Sequence, residues 1–164
     1  MTTATPVIDA DHAAFIVRGV SISVASCGAD SQPSLVRALG CRVSDDRRSL
    51  TVMVSASQAG VLLDHVRQTG ALAAVFSEPP THRTIQLKAG NAIIGAPTQA
   101  DLDCVARYRD SFVDTLQQMG YPPALIQTFL ACPDDDIAAL TFTPNAAFSQ
   151  TPGPNAGQAL LVHA

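Results

Sequence analysis

The sequence predicts a mainly-β (α+β) fold, a small antiparallel β-barrel carrying helices on its outside. Three observations carry that expectation. Short runs rich in β-branched residues, such as "VSISVAS" and "SLTVMVS", alternate with polar turns. The second of these runs is apolar on both faces, as a strand covered inside and outside has to be. Between and after the runs lie segments whose apolar residues recur at helical spacing.

Taken in order, "DADHAAFIVRG" reads as a short helix leading into the first strand, "VSISVAS", which ends at the turn "CGADSQP". "SLVRALGCRV" is a second extended segment, "SDDRR" a turn and "SLTVMVS" a third strand, so the three form an antiparallel meander. A helix follows. Ser55 and Gln58 fit a Ser-x-x-Gln capping box at its start, Ala59, Leu62, Leu63 and Val66 form its apolar stripe, and Gly70 is its C-cap. "ALAAVFS" and "TIQLKAGNAIIG" are the fourth and fifth strands, separated by the turn "EPPTHR".

A long helix is expected from about Gln99 to Met119, with Leu102, Val105, Ala106, Phe112, Val113 and Leu116 repeating along it and Gly120 and Pro122 stopping it. The shorter helix "PPALIQTFLA" is expected to pack Leu125, Ile126, Phe129 and Leu130 on one side. "DIAALTFTP" is the sixth strand, "NAAFSQTPGPNAGQ" is a Pro/Gly-rich tail segment, and "QTPGPNAGQ" within it reads as a turn-rich arm placed to cross to a neighbouring subunit. With no repeat and no linker, residues 1–164 form one domain.

Composition narrows the function. The 164 residues are 47% hydrophobic and 15% charged, with a mean hydropathy of +0.20, so burial of surface in a homo-oligomer is expected. A net charge of −4, no basic run, two Tyr and no Trp argue against nucleic acid as a partner. Charged or Pro residues interrupt every apolar run, and the start "MTTATPVIDADHAAFIV" lacks a signal peptide's basic region, so a cytoplasmic protein without a membrane span is expected. Cys27, Cys41, Cys104 and Cys132 lack the close spacing of a zinc site and read as core thiols. His12, His65 and His163 make no metal spacing, His82 reads as an exposed turn residue, no catalytic constellation is visible, and Asp134–Asp136 reads as a solvated turn.

The order of elements, three strands, a helix, two strands, helices and a last strand, resembles the pyridoxamine 5′-phosphate oxidase-like group of FMN-binding split barrels. "QPSLVRALGCRV" is similar to that group's second strand, where basic residues stand five apart, here Arg37 and Arg42. "SLTVMVSASQAGVLL" is similar to its third strand and the turn that holds the flavin phosphate. "EPPTHRTIQLKAG" resembles the strand passing the flavin ring, and "AFSQTPGPNAG" a tail of one branch. The resemblance implies a six-stranded antiparallel split β-barrel with peripheral α-helices, an FMN cofactor, and a homodimer with the flavin across its interface.

It further implies a flavin-dependent oxidoreductase acting on a small molecule. The alternative is a non-catalytic binding module for FMN, haem or another flat cofactor in the dimer cleft. The candidate cofactor-binding residues are Arg37, Arg42, Ser55, Ser57, Gln58, Thr84 and Gln86. The basic residue that many members place at the helix start is replaced here by Ser57–Gln58. Independently of the resemblance, strand alternation places Thr84, Gln86 and Lys88 on one face and Ile85, Leu87 and Ala89 on the core face. Arg37 and Arg42 differ by an odd number of residues, so one site for both needs irregular backbone, for which Gly40 is suited.

Overall fold

A single long strand, broken in the middle by a glycine, organises the whole chain. The computed structural model describes residues 8–160. The residues are arranged as α1 (Ala10–Ile16), β1 (Ser21–Cys27), β2 (Pro33–Val43), β3 (Leu50–Ser55), α2 (Gly60–Thr69), β4 (Leu72–Ser77), β5 (Thr84–Ala89) and β6 (Ile93–Gly95). There follow α3 (Gln99–Gln118), α4 (Pro123–Phe129), a 3₁₀ turn (Asp134–Asp136), β7 (Ile137–Phe142), β8 (Ala146–Ser149) and β9 (Ala159–Leu160). The reading of the first residues as lacking a signal peptide falls largely, and that of His163 wholly, outside the described residues.

The strands form an antiparallel sheet in the order β6-β7-β3-β2-β1-β4-β5-β8-β9, which does not close into a barrel. The first part of β2 pairs with β1, Arg37 opposite Ser23, and the second part pairs with β3, Cys41 opposite Val52. The register shifts between Ala38 and Gly40, a β-bulge that bends the strand so that it serves both halves of the sheet. Gly40 has φ +154°, and a Cβ there would stand 3.1 Å from the Met53 side chain. Gly40→Ala is therefore expected to cost about 1–3 kcal/mol. Urea unfolding is the check, and an unchanged midpoint would show that the bulge relaxes without Gly.

The six expected strands are all present, and the additional ones have plain causes. "TIQLKAGNAIIG" splits at Gly90–Ala92, and Ile93–Gly95 leaves to pair with β7. The residues on either side of the Pro/Gly-rich segment pair within the chain: β8 pairs with β5 and β9 with β8. All six residues of β3 are buried, as their two-faced apolarity requires.

The core faces of β4 and β5 supply Leu72, Ala74 and Phe76, and Ile85, Leu87 and Ala89. Ala59, Leu62, Leu63 and Val66 of the α2 stripe are buried, and Gly70 caps the helix in the left-handed conformation. On α3, Val105, Tyr108 and Phe112 are buried whereas Ala106 is exposed. On α4 only Ile126 and the following Leu130 turn inward, while Leu125 and Phe129 stay exposed. That helix is too short to bury two adjacent rows.

Candidate functional site

The turn between β3 and α2 is filled from within. Ser55 pairs with Ile137 across the β3–β7 ladder, which brings the preceding residue, Asp136, against the turn. The Ser55 and Ser57 hydroxyls donate to Asp136 Oδ2 at 2.6 and 2.7 Å, and the Ser57 N–H donates to Oδ1 at 2.9 Å. The Ala56 N–H donates to the Asp136 carbonyl at 2.6 Å. These bonds, the Ser55 and Ser57 hydroxyls first, hold the Asp136 carboxyl below the usual carboxylate range. Asp136 is thus an anchored anion, not the freely solvated turn expected of Asp134–Asp136.

The expected capping box is only half built. The Gln58 N–H reaches Ser55 Oγ at 3.3 Å, but α2 starts later, behind Ala59, which makes no side-chain cap. An FMN phosphate does not fit this turn, because two hydroxyls and an N–H that would grip it already serve a negative carboxylate.

The two strand arginines are also engaged. The backbone is irregular at Gly40, as one site for both would need, yet the two side chains do not share a site: they reach separate parts of α3. Arg42 Nε donates to Asp101 Oδ1 at 2.9 Å, and the Asp101 side chain is 3% exposed. Burial pushes the Asp101 carboxyl up, but the Thr98 N–H and hydroxyl and the Arg42 guanidinium more than offset this, so its pKa lies below the usual value. Thr98 and Asp101 together form the capping box of α3. Arg37 stands over the Phe112 and Phe129 rings, 5.8 and 4.8 Å from their centroids, and donates to Ser21 Oγ at 3.0 Å. Phe112 and Asp101 are separated by about 16 Å along α3 at 1.5 Å per residue.

Thr84 and Gln86 lie on the outer face of β5, as the alternation predicts. The Thr84 hydroxyl is 2.8 Å from Ser77 Oγ, and Gln86 Oε1 accepts from Gln150 at 3.3 Å. The strand registers put Arg37, Ser23, Val75 and Gln86 in one row across this face. Three strand spacings, about 14 Å, separate the Arg37 and Gln86 backbones. The candidate residues are therefore dispersed over the α2 turn, the start of α3 and the outer sheet face.

A different group of residues converges. A cavity of about 470 Å³ lies between α1, the end of β2 and α3. Ala13, Val17, Cys41 and Cys104 give it apolar walls, while Arg42, Arg47, Arg107, Ser44 and Ser111 give it polar ones. Arg42 is neutralised by Asp101, but Arg47 and Arg107 have no carboxylate partner among the described residues. Arg47 is held at φ +55°, where an L-residue is strained, by its N–H bond to the Ser44 carbonyl at 2.8 Å. Burial raises the Cys41 and Cys104 thiols, so both stay protonated walls.

Reading the sequence missed Asp136, Arg47 and Arg107. Pairing "SLTVMVS" with "DIAALTF" would have placed the Asp run beside Ser55. Nothing local marks Arg47 and Arg107, which line one cavity only because α3 packs against β2. Among the described residues no helix is long and apolar enough to cross a membrane, and no group of His, Cys, Asp or Glu is placed to hold a metal.

No protein-family model matches the sequence, and no curated protein does. Solved structures do. HupZ of group A Streptococcus is 15% identical, with a TM-score of 0.56 over 92% of this chain and 100% of that one. An F420 reductase is 15% identical, with a TM-score of 0.54 over 85% and 98%. A Lactobacillus delbrueckii protein named for pyridoxamine 5′-phosphate oxidase is 12% identical, with a TM-score of 0.54 over 86% and 93%. The chain has the fold of the pyridoxamine 5′-phosphate oxidase-like split barrels.

Proposed function

We propose that this protein is a binding module for a flat organic anion of the flavin or haem type, seated in the cavity between α1, β2 and α3. The observation that carries the reading is the pair Arg47 and Arg107, which rim a partly apolar cavity and have no carboxylate partner among the described residues. Unpaired guanidinium groups beside apolar walls suit a ring bearing a carboxylate or phosphate. The fold neighbours named for F420 and pyridoxamine 5′-phosphate favour a ring-bearing ligand.

The test is ligand retention. Purified protein is incubated with FMN or with hemin, desalted, and its visible spectrum recorded. The wild type is expected to keep one of them, and Arg47→Ala/Arg107→Ala to hold it at least tenfold more weakly. Retention unaffected by the double substitution would remove this cavity as the site.

FMN-dependent oxidoreduction is the second reading, favoured by the enzymes among the fold neighbours. It predicts a retained flavin spectrum and turnover with a reduced nicotinamide, and it needs the flavin phosphate to lie elsewhere than the α2 turn.

A homodimer accompanies either reading. The outer face of β1 and β4 carries small residues, Ser21, Ser23, Ala25, Ala73 and Ser77, beside Leu35 of β2 at 70% exposure. Such a flat face suits a second copy. Ala73→Arg is expected to halve the mass measured by sedimentation equilibrium. Residence in a reducing cytoplasm agrees with four free thiols.

A further inference from the structure

We propose that Asp136 is a built-in substitute for phosphate at the β3–α2 turn, and that it excludes phosphate esters from this turn. Both carboxylate oxygens are used: Oδ2 accepts from the Ser55 and Ser57 hydroxyls and Oδ1 from the Ser57 N–H. The residue's own carbonyl accepts the Ala56 N–H, so the Asp136 backbone is fixed along with its side chain. A phosphate at the turn would compete for the same donors and face a carboxylate of its own sign.

The residues expected to supply positive charge at a flavin phosphate are neutral or engaged elsewhere. Gln58 is neutral, Arg42 pairs with Asp101, and Arg37 is stacked between Phe112 and Phe129. Arg109, the cation nearest in sequence to the same loop, donates instead to the Leu130 and Cys132 carbonyls. The neighbouring thiol, Cys132, lies 3.7 Å from Asp136 Oδ2 and stays protonated through burial, so it adds no second charge. The turn is thus complete without a ligand. Asp136 ties the start of α2 to the start of β7 in the way a bound anion would.

FMN and riboflavin differ by one phosphate, so the ratio of their affinities reads phosphate recognition alone. Fluorescence quenching titrations measure the ratio for the wild type, Ser57→Ala, Asp136→Ala and Asp136→Ala/Ser57→Ala. Asp136→Ala is expected to raise the preference for FMN at least tenfold over the wild type. The added Ser57→Ala is expected to abolish that gain, whereas Ser57→Ala alone leaves the wild-type ratio where it was. Should Asp136→Ala fail to fold, Asp136→Asn keeps an oxygen acceptor and is expected to shift the ratio in the same direction by a smaller factor.

The inference is overturned if removing the Asp136 charge leaves the ratio unchanged. It is overturned equally if Ser57→Ala alone lowers a wild-type preference for FMN, because phosphate would then already sit in the turn. All titrations, the wild-type reference included, are run in the Arg47→Ala/Arg107→Ala background, so that phosphate recognition at the cavity is removed from both sides of the comparison.

Discussion

Phe15→Ala is expected to destabilise the protein by about 3–5 kcal/mol, the cost of deleting a fully buried aromatic side chain. Phe15 is 0% exposed and, with Ile16, is one of two side chains that anchor the seven-residue helix α1. The Arg83 guanidinium stacks 4.2 Å above its ring and pairs with Asp11 on the same helix at 2.6 Å. Removing the ring therefore loosens the cation–π contact along with the core. Ala13 and Val17, which wall the arginine-rimmed cavity, stand on or beside this helix. The substitution is thus expected to lower ligand retention together with stability. Urea unfolding at matched m-values is the check, and a loss under about 1 kcal/mol would show that the neighbours collapse into the space.

Asp101→Ala is the second large effect, expected at about 2–4 kcal/mol. It removes the α3 capping box and leaves Arg42 without its partner. Arg42 is 39% exposed, so water takes over part of its charge and keeps the loss below that of a fully buried pair. The pH dependence follows from the lowered Asp101 pKa. A carboxyl that is more acidic when folded contributes fully above its unfolded pKa, about 3.9. The contribution then disappears as pH falls through the folded value. The stability gap between wild type and Asp101→Asn is therefore expected to hold from neutrality to about pH 4 and to narrow below that.

The elements with one strong local signal were legible in the sequence. The α2 stripe, the Gly70 cap, the two-faced burial of β3 and the inward and outward faces of β5 all follow from periodicity or glycine geometry. Gly40 was a legible place for a bend in a long strand, although the shared arginine site that the odd spacing was read for does not form. What failed to show were contacts that pairing at long range creates. Asp136 belongs to the α2 turn only because β3 and β7 are neighbours, and the same acidic run read alone looks solvated. The strand β8 carries too few residues for a pattern and forms because β5 offers it an edge. Leu125 and Phe129 repeat at helical spacing yet stay exposed, since periodicity identifies a face without saying whether a core is there to receive it.

The central position of β3 also governs how the chain folds. Its partner β2 is adjacent in sequence, but on the other side Thr51 meets Thr141, 90 positions later. During synthesis β2 and β3 can pair early, and β3 then presents a largely apolar, unpaired edge until β7 has emerged. Closing so long a loop is slow, because its entropy is lost before any hydrogen bond compensates. The docking of β7 is therefore the step at which the nascent protein is most exposed to wrong partners. The last residues before the tail decide whether the chain ends as a folded molecule or as an aggregate.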